Sequence, residues 1–356
     1  MTAARVSGDA TGPVEVWQEP ARGGYPPDWF ASLGGLERQQ RFLEITLPPP
    51  CYHLCGVVPD RENDLTATTM TGLMPASEWL RWTDGEIPLG AQCVVADLAF
   101  GLSFGNSLPL GGGFTTAELS LTRLASPHIG GLLRAEGFQI GAEGPVGLTG
   151  ASVRDADGRM VSAGTSRLAV FPTVPPGALP AVPDPLPTVV QPIYDSPDPW
   201  ERPVVGSCLA PDVRHRCGGR EIQQGIIDGS HPRPPLSMLT GLRPVSVRPG
   251  RATVVLPAHR WLSAPTGNVQ GGFTAMLAEA ALHTAVDTTT SVDELAVSLD
   301  VKVNYLRPVA PDDSLLSATA EVTHRGRSLA VAHATITSAD GKSVALATGS
   351  SSIIRL

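Results

Sequence analysis

A long pattern of apolar positions lies between Gly272 and Val286, where the residues are apolar or small on every face of a helix. Such a pattern predicts a helix that is buried all round rather than one that lies on the surface. Glu279 interrupts it with a single carboxylate. Because an ionised carboxyl group in an apolar site costs several kcal/mol unless it is paired or protonated, this acid calls for a partner or a function.

Two glycines, Gly271 and Gly272, open the predicted helix. The first N–H groups of a helix have no partner within it, so they form a ready site for an oxyanion or a phosphate. A helix rises about 1.5 Å per residue, which separates the Gly271 amide from the Glu279 carboxylate by roughly 12 Å. One carbonyl group cannot contact both, so the second group must come from another helix.

The same pattern occurs twice, and the two copies align without a gap at the offset that separates Gly90 from Gly272. At this repeat offset the apolar helix that follows Gly90 carries Asp97 where the second copy carries Glu279. Beyond these helices both copies alternate apolar and polar positions as half-buried strands do, and Asp-Gly pairs predict hairpin turns between strands. The duplication predicts an α+β unit made of a short helix, one or two strands, the long helix and about four strands.

Proline and glycine divide the chain into four parts. We predict a flexible N-terminal arm at residues 1–28, a first domain at 29–172, a linker at 173–204 and a second domain at 205–356. Residues 171–203 hold eleven prolines in 33 residues. That density is too high for the interior of a helix or a sheet, so the linker is expected to be extended and semi-rigid.

Charge and cysteine content exclude some classes of protein. A net charge of -8 and a pI near 5.5 argue against a nucleic-acid or membrane-surface binder, which usually presents a basic face. No apolar segment approaches the length of a membrane span, and the N-terminus has no basic region before an apolar run. Five cysteines without CxxC pairs fit a reducing compartment. We therefore expect a cytoplasmic protein.

Two short groups contain side chains that can bind metals, Cys51-x-His53-x-Cys55 and His215-x-Cys217. Their spacings do not match the usual zinc patterns, so no metal site is predicted. A P-loop, a dinucleotide-binding fingerprint and a nucleophile elbow are also missing from the sequence, which argues against NTPase, Rossmann oxidoreductase and α/β-hydrolase chemistry.

The order of these features resembles the hotdog fold, and in particular a tandem (double) form of the PaaI-type acyl-CoA thioesterases. The resemblance implies two hotdog domains, each with a long central helix wrapped by an antiparallel sheet, packed as an intramolecular pseudo-dimer. It implies hydrolysis of acyl-CoA or acyl-carrier thioesters, with coenzyme A as part of the substrate and no required cofactor. A homo-oligomer, a dimer of double hotdogs, is also expected.

The resemblance also implies roles for individual residues. Glu279 and Asp97 would act as general base for water or as nucleophile toward the thioester carbonyl. The N–H at Gly271, which opens the helix together with Gly272, would donate to the oxyanion. Hydroxyl groups that orient the water or the acid would be those of Ser298 and Thr116.

Two composite sites follow if the long helices are antiparallel, as in hotdog dimers. One would join Gly271 with Asp97, and the other would join Leu89 or Gly90 with Glu279. We expect the first to be the better site, because a glycine lets a ligand approach the backbone closely. Thioester hydrolysis suits these amides and carboxylates, since a thiolate leaves readily without a strong general acid.

Some positions depart from the family pattern. The usual His before the two glycines is Gln270 here, and the first copy has Pro88 and Leu89 at the matching positions. An amide that such enzymes often place upstream of the acid falls on Ala264 in one copy and Trp82 in the other. These departures leave open a non-catalytic acyl-CoA or acyl-carrier binding protein.

A hotdog hydratase or dehydratase is a further alternative, since such enzymes resemble the fold but pair an acid with a histidine. His283 lies one helical turn after Glu279, and its counterpart in the first copy is Gly101. At this spacing His283 could equally serve only to pair with the buried carboxylate of Glu279.

Coenzyme A carries phosphates, which need cations. The densest basic loop of the second copy lies at residues 323–328 and contains Arg325 and Arg327, and Arg307 precedes a proline at a predicted strand end. The matching loop of the first copy, residues 141–145, has no cation. These three arginines are the predicted coenzyme-binding residues.

Overall fold

The computed structural model describes residues 15–60 and 65–356. The first copy contains the elements α1 (Gly35–Ile45), α2 (Pro50–Cys55), β1 (Val58–Asp60), β2 (Thr69–Pro75), α3 (Leu89–Gly105), β3 (Phe114–Arg123), β4 (Leu132–Glu143), β5 (Val146–Arg154) and β6 (Met160–Val170). The second copy repeats them in the same order as α4 (Gly219–Asp228), α5 (Pro235–Thr240), β7 (Arg243–Arg248), β8 (Arg251–Pro257), α6 (Gly271–Asp287), β9 (Glu294–Tyr305), β10 (Leu315–Arg325), β11 (Leu329–Thr337) and β12 (Ser343–Arg355).

One antiparallel sheet runs through both copies in the order β1-β2-β4-β5-β6-β3-β9-β12-β11-β10-β8-β7. The two halves of this order correspond strand by strand and meet where β3 pairs with β9. At that junction Leu119 faces Val303 and Leu121 faces Val301, four residues that are fully buried. The junction therefore joins the two copies through both backbone hydrogen bonds and core packing.

The long helices α3 and α6 lie side by side in the concave face of the sheet. They are antiparallel: a Cβ at Gly90 would lie 2.9 Å from the Met276 Cα, and one at Gly272 would lie 2.5 Å from the Val94 Cα. The two contacts are equivalent at the repeat offset, since Gly90 corresponds to Gly272 and Val94 to Met276. Glycine is needed at both positions because any side chain would push the two helices apart.

The predicted α+β architecture is confirmed. Each long helix is buried on nearly all sides, as its apolar pattern predicts, and each copy has two strands before this helix and four after it. The helices have low amphipathicity because the sheet covers one side and the partner helix covers the other. The side chains of the two copies form a continuous hydrophobic core.

The segment at residues 173–204 has no α-helix or strand and makes only short 3₁₀ turns, at Pro176–Ala178 and Pro199–Glu201. It lies along the first copy, where the Trp79 Nε1–H donates to the Arg202 carbonyl at 2.9 Å. Of the predicted N-terminal arm, residues 1–14 lie outside the described residues. Residues that follow them contact the second copy: Glu15 pairs with Arg233, and the Glu19 carbonyl accepts from the Trp261 indole.

Candidate active site

The Asp97 carboxylate lies at the N-terminus of the opposite helix, α6. Its Oδ2 accepts a hydrogen bond from the Gly272 N–H at 3.2 Å, and the Gly271 N–H also donates to it. Thr116 on β3 donates its hydroxyl to Oδ1 at 3.3 Å. The structure thus brings together the predicted members of the first composite site, from one copy Asp97 and Thr116 and from the other the two glycines.

Burial raises the pKa of Asp97 to about 6, although the hydrogen bonds from Gly272, Thr116 and Gly271 act in the opposite direction. Removal of the carboxylate from water disfavours its charged form more than three donors favour it. Near neutral pH the group is mostly ionised and occupies the amides that an oxyanion would need. In this arrangement Asp97 caps helix α6.

The second composite site has the same parts with a different arrangement. Glu279 lies against the N-terminal turn of α3, where a Cβ at Gly90 would be 3.0 Å from its Oε2. Ser298 on β9 donates its hydroxyl to the Glu279 Oε1 at 2.5 Å. Among the described residues, the Leu89 and Gly90 amides donate to no hydrogen bond. These donors are therefore open, whereas the corresponding donors of α6 are occupied.

A cavity of about 370 Å³ opens onto Glu279 between the two copies. The second copy supplies Glu279, His283, Ser298 and the end of β12, while the first copy supplies its opposite wall. The residues of that wall are Trp82, Asp84, Glu86, Pro88, Arg123 and Ser126. A volume of this size falls within the range of small-molecule sites in proteins.

A single aromatic ring distinguishes the two composite sites. In the first copy the Phe114 ring lies across α3, 3.5 Å from where a Cβ at Gly101 would be and 2.9 Å from where one at Gly105 would be. Its counterpart in the second copy is Ala296, which lines the cavity. The ring of Phe114 therefore covers Gly101 and Gly105, at the positions where the second copy carries His283 and Asp287.

The expectation that the Gly271–Asp97 site would be the better one finds no support in these positions. Gly271 does allow a close approach to the backbone, but the group that approaches it is the Asp97 carboxylate itself, whose Oδ1 would lie 3.1 Å from a Cβ at this position. The open space lies at Glu279. The catalytic roles of the six predicted site residues stay predictions.

The three predicted coenzyme-binding arginines do not line this cavity. Arg325 pairs with Glu294 at 3.1 Å and donates to the Thr289 hydroxyl, so its charge is already matched. Arg307 donates to the Ser343 carbonyl and is exposed, as is Arg327. Arg325 nevertheless lies beside the cavity, because Glu294 directly precedes its lining residue Leu295.

Sequence reasoning missed the cation that does line the cavity, Arg123. The internal repeat contained the signal: Arg123 corresponds at the repeat offset to Tyr305, whose hydroxyl donates to the Gly271 carbonyl at 2.8 Å beside the other site. Two corresponding strand ends thus reach corresponding sites. The acids Asp84 and Glu86, which lie in the loop before α3, were also missed, because exposed acids in a turn carry no distinctive pattern.

Gln270, which stands where the resembling family has histidine, donates from Nε2 to the Val94 carbonyl at 3.1 Å and so connects α6 to α3. The cysteine and histidine groups considered for metal binding make other contacts: His53 Nδ1 is 2.9 Å from Asp198, and the Cys55 thiol donates to the Cys51 carbonyl. All five cysteines are free. Within the described ranges no helix is long and apolar enough to cross a membrane.

Known proteins resemble both the sequence and the fold of this chain. The sequence profile of the thioesterase superfamily matches residues 266–345. The 1,4-dihydroxy-2-naphthoyl-CoA hydrolase of Listeria monocytogenes serotype 1/2a (strain 10403S) is 33% identical over 91 residues, which make up 26% of this chain and 72% of that protein. Both similarities are to a single hotdog unit.

Solved structures cover both copies. A tesB protein of Mycobacterium avium subspecies paratuberculosis is similar over 82% of this chain and 95% of its own, with a TM-score of 0.51 and 13% identity. An acyl-CoA thioesterase II of Mycobacterium marinum covers 86% of this chain and 98% of its own, with a TM-score of 0.49 and 13% identity. The first of these similarities extends the likeness of fold across the whole pseudo-dimer.

The fold defines a double hotdog protein, as the sequence predicted. The chain belongs to the thioesterase superfamily.

Proposed function

We propose that this protein hydrolyses acyl-CoA or acyl-carrier thioesters in the cavity that opens onto Glu279. The observation that supports the proposal is a buried carboxylate that lines an open cavity together with its hydroxyl partner Ser298 and that lies against the N-terminal turn of α3. A hydrolase that acts on a CoA thioester among the relatives agrees with this substrate class. No cofactor takes part, and coenzyme A enters only as part of the substrate.

The mechanism assigns one task to each group. The thioester carbonyl binds with its oxygen toward the Leu89 and Gly90 amides, which stabilise the negative charge of the tetrahedral intermediate. Glu279, oriented by Ser298, removes a proton from the attacking water. Direct attack by the carboxylate is the alternative, and it would pass through an anhydride that water then hydrolyses.

The two composite sites then have different roles. Asp97 keeps its place at the amides of Gly271 and Gly272 and maintains the pairing of the long helices, while the reaction takes place at Glu279. The alternative is that the whole protein binds acyl-CoA or an acyl carrier without turnover. We place Arg325, Arg327 and Arg307 at the outer surface, where they would meet the phosphates of coenzyme A.

The cellular compartment and the binding partners are proposed from the sequence. Five free cysteines fit a reducing compartment, so we propose a cytoplasmic protein. Its partners would be the acyl-CoA substrate and a second copy of the chain in a dimer of double hotdogs, with neither nucleic acid nor membrane involved.

A thiol-release assay on a panel of acyl-CoA substrates, with aliphatic chains of several lengths and aromatic acyl groups, tests the proposal. We expect stoichiometric release of coenzyme A thiol and free acid from at least one class of acyl group. Saturable binding of these substrates without release of thiol would contradict hydrolysis and establish the binding role instead.

A further inference from the structure

The cavity contains a second group that can transfer protons, His283. Residues four apart on a helix lie on the same face, so Glu279 and His283 are neighbours on α6, and both line the cavity. Both side chains are more than nine-tenths buried. Within the described residues no hydrogen bond is formed by the imidazole nitrogens of His283, and the side chain lines the cavity, where a molecule that enters can reach it.

A buried acid lies behind the histidine, one further turn along α6. Asp287 is fully buried and accepts two hydrogen bonds from Arg214, at 2.7 and 3.1 Å, and one from the Gln223 amide at 2.9 Å. Burial alone would raise its pKa, but Arg214, His283 and Gln223 together hold the pKa of Asp287 below its usual value. An ionised carboxylate, paired with Arg214, therefore lies one turn from the imidazole.

The first copy lacks this arrangement entirely. At the repeat offset, His283 corresponds to Gly101 and Asp287 corresponds to Gly105, and these two glycines are the positions that the Phe114 ring covers. Of the three residues Glu279, His283 and Asp287, only Glu279 has an acidic counterpart in the first copy, Asp97. The histidine and the acid behind it thus occur at the composite site that has a cavity. They are missing from the first copy, where Phe114 covers the two corresponding glycines.

We propose that His283 is the proton donor to the departing thiolate in the Glu279 cavity, an inference that rests on the proposed hydrolysis. Water attacks the carbonyl carbon, and Glu279 takes its proton. The tetrahedral intermediate collapses by breaking the C–S bond, and the His283 imidazolium protonates the sulfur. Transfer of the proton from Glu279 to the neutral His283 then restores both groups, so one thioester and one water give one carboxylic acid and one thiol.

Other charged groups face His283 across the cavity. Asp84 and Glu86 of the loop before α3 add negative charge at the mouth, and Arg123 at the end of β3 adds positive charge. Behind α6, Arg214 is neutralised by Asp287. Three carboxylates, including Glu279, thus share the cavity lining with one arginine.

Leaving-group dependence tests the proposal, because a proton assists the departure of a basic alkyl thiolate more than that of an electron-poor aryl thiolate. The substrates are two thioesters of one acyl group, one with coenzyme A and one with 4-nitrobenzenethiol. For His283→Gln we expect kcat to fall about 100-fold with the alkyl thioester but to stay within about 3-fold of wild type with the aryl thioester, since general acid catalysis contributes 10²-fold or more only where the proton is needed.

Glu279→Gln is the matched control, since loss of the base slows attack on both thioesters alike. His283→Asn provides a second variant, and turnover of the aryl thioester itself reports whether the site has folded. An equal loss of kcat on both thioesters in the two His283 variants would overturn the role of proton donor. Failure of the wild type to hydrolyse either thioester would instead refute the proposed function.

Discussion

Asp97 is the residue whose environment is most unlike that of an ordinary surface carboxylate. Its pKa is raised from 3.8 to about 6 by burial, which means that the folded protein holds this proton more tightly than the unfolded chain does. The resulting contribution to stability is fully present below the unfolded pKa and is lost as pH rises through the folded one. A shift of this size corresponds to roughly 3 kcal/mol.

We therefore predict that the free energy of unfolding of wild type, measured relative to that of Asp97→Asn, decreases as pH rises from about 4 to about 6. Asparagine retains an acceptor for the helix amides but does not titrate. Urea denaturation of both proteins at a series of pH values measures the difference. A constant difference across this range would show that Asp97 has an ordinary pKa.

Glycines that appear equivalent in the sequence have different tasks in the structure. Gly272 lies where α6 crosses α3, and a Cβ there would be 2.7 Å from the Cys93 carbonyl oxygen as well as in contact with Val94. A Cβ at Gly271 would meet only the Asp97 carboxylate, at 3.1 Å. Gly271 thus allows a side chain to approach the helix terminus, and Gly272 allows the two helices to pack.

At the scale of the elements, pairing of α3 and α6 sets the stability of the pseudo-dimer. We predict that Gly272→Ala lowers the free energy of unfolding by about 3 kcal/mol or more, since neither helix backbone can yield without disturbing the core. Gly271→Ala is the matched control and should cost less, because a side chain can shift more easily than a backbone. Thermal unfolding of the two variants measures both effects, and equal losses would contradict the assignment.

The difference between the two sites depends on corresponding positions of β3 and β9. Ala296→Phe places in the second copy the ring that the first copy has at Phe114, where it would occupy the cavity beside His283. We predict that this variant loses at least about 10-fold in kcat/KM for acyl-CoA substrates, chiefly through KM, because acyl binding space is removed. Steady-state kinetics with a circular dichroism check of folding measures the effect.

Phe114→Ala makes the reverse change in the first copy, and it is expected to affect stability rather than activity. Loss of the ring should cost about 3 kcal/mol of stability while thioester hydrolysis continues at the Glu279 cavity. Full activity in Ala296→Phe would contradict the placement of the acyl group in the Glu279 cavity.

How far the sequence predicts these features depends on the physical origin of each. The duplication, the buried helices and the encounter of Asp97 with Gly271 follow from periodicity and helix rise, which are local and regular. Which site is open depends on whether one strand position holds Phe114 or Ala296, and both read as ordinary strand residues. The cavity charge Arg123 was missed for the same reason, because only the assembled pseudo-dimer brings it to Glu279.

Across the residues that the structure describes, the molecule has one sheet and one main core. The β3–β9 junction and the α3–α6 contact cross between the copies, and the main hydrophobic cluster contains residues of both. Glu19 also connects the two copies. Its carboxylate pairs with Arg202, which follows the proline-rich region, at 2.7 Å. Its backbone carbonyl accepts a hydrogen bond from Trp261 of the second copy. The two copies therefore share their core instead of each enclosing its own.

We predict that the chain unfolds in a single cooperative transition rather than domain by domain. Calorimetry measures this directly, through agreement between the calorimetric and van't Hoff enthalpies. Two separated transitions would show that the copies are stable on their own and that their interface adds little.

The location of the chemistry is the central claim, and kcat/KM for thiol release by Glu279→Gln and by Asp97→Asn, measured side by side on the best acyl-CoA substrate, tests it most directly. Because Glu279 is the base in the open cavity, its amide variant should lose about 10²-fold or more. Asp97→Asn, which keeps its place at the α6 amides, should stay within about 10-fold of wild type, since its effect is on packing and not on attack by water. A large loss in Asp97→Asn with near-normal turnover in Glu279→Gln would contradict the account.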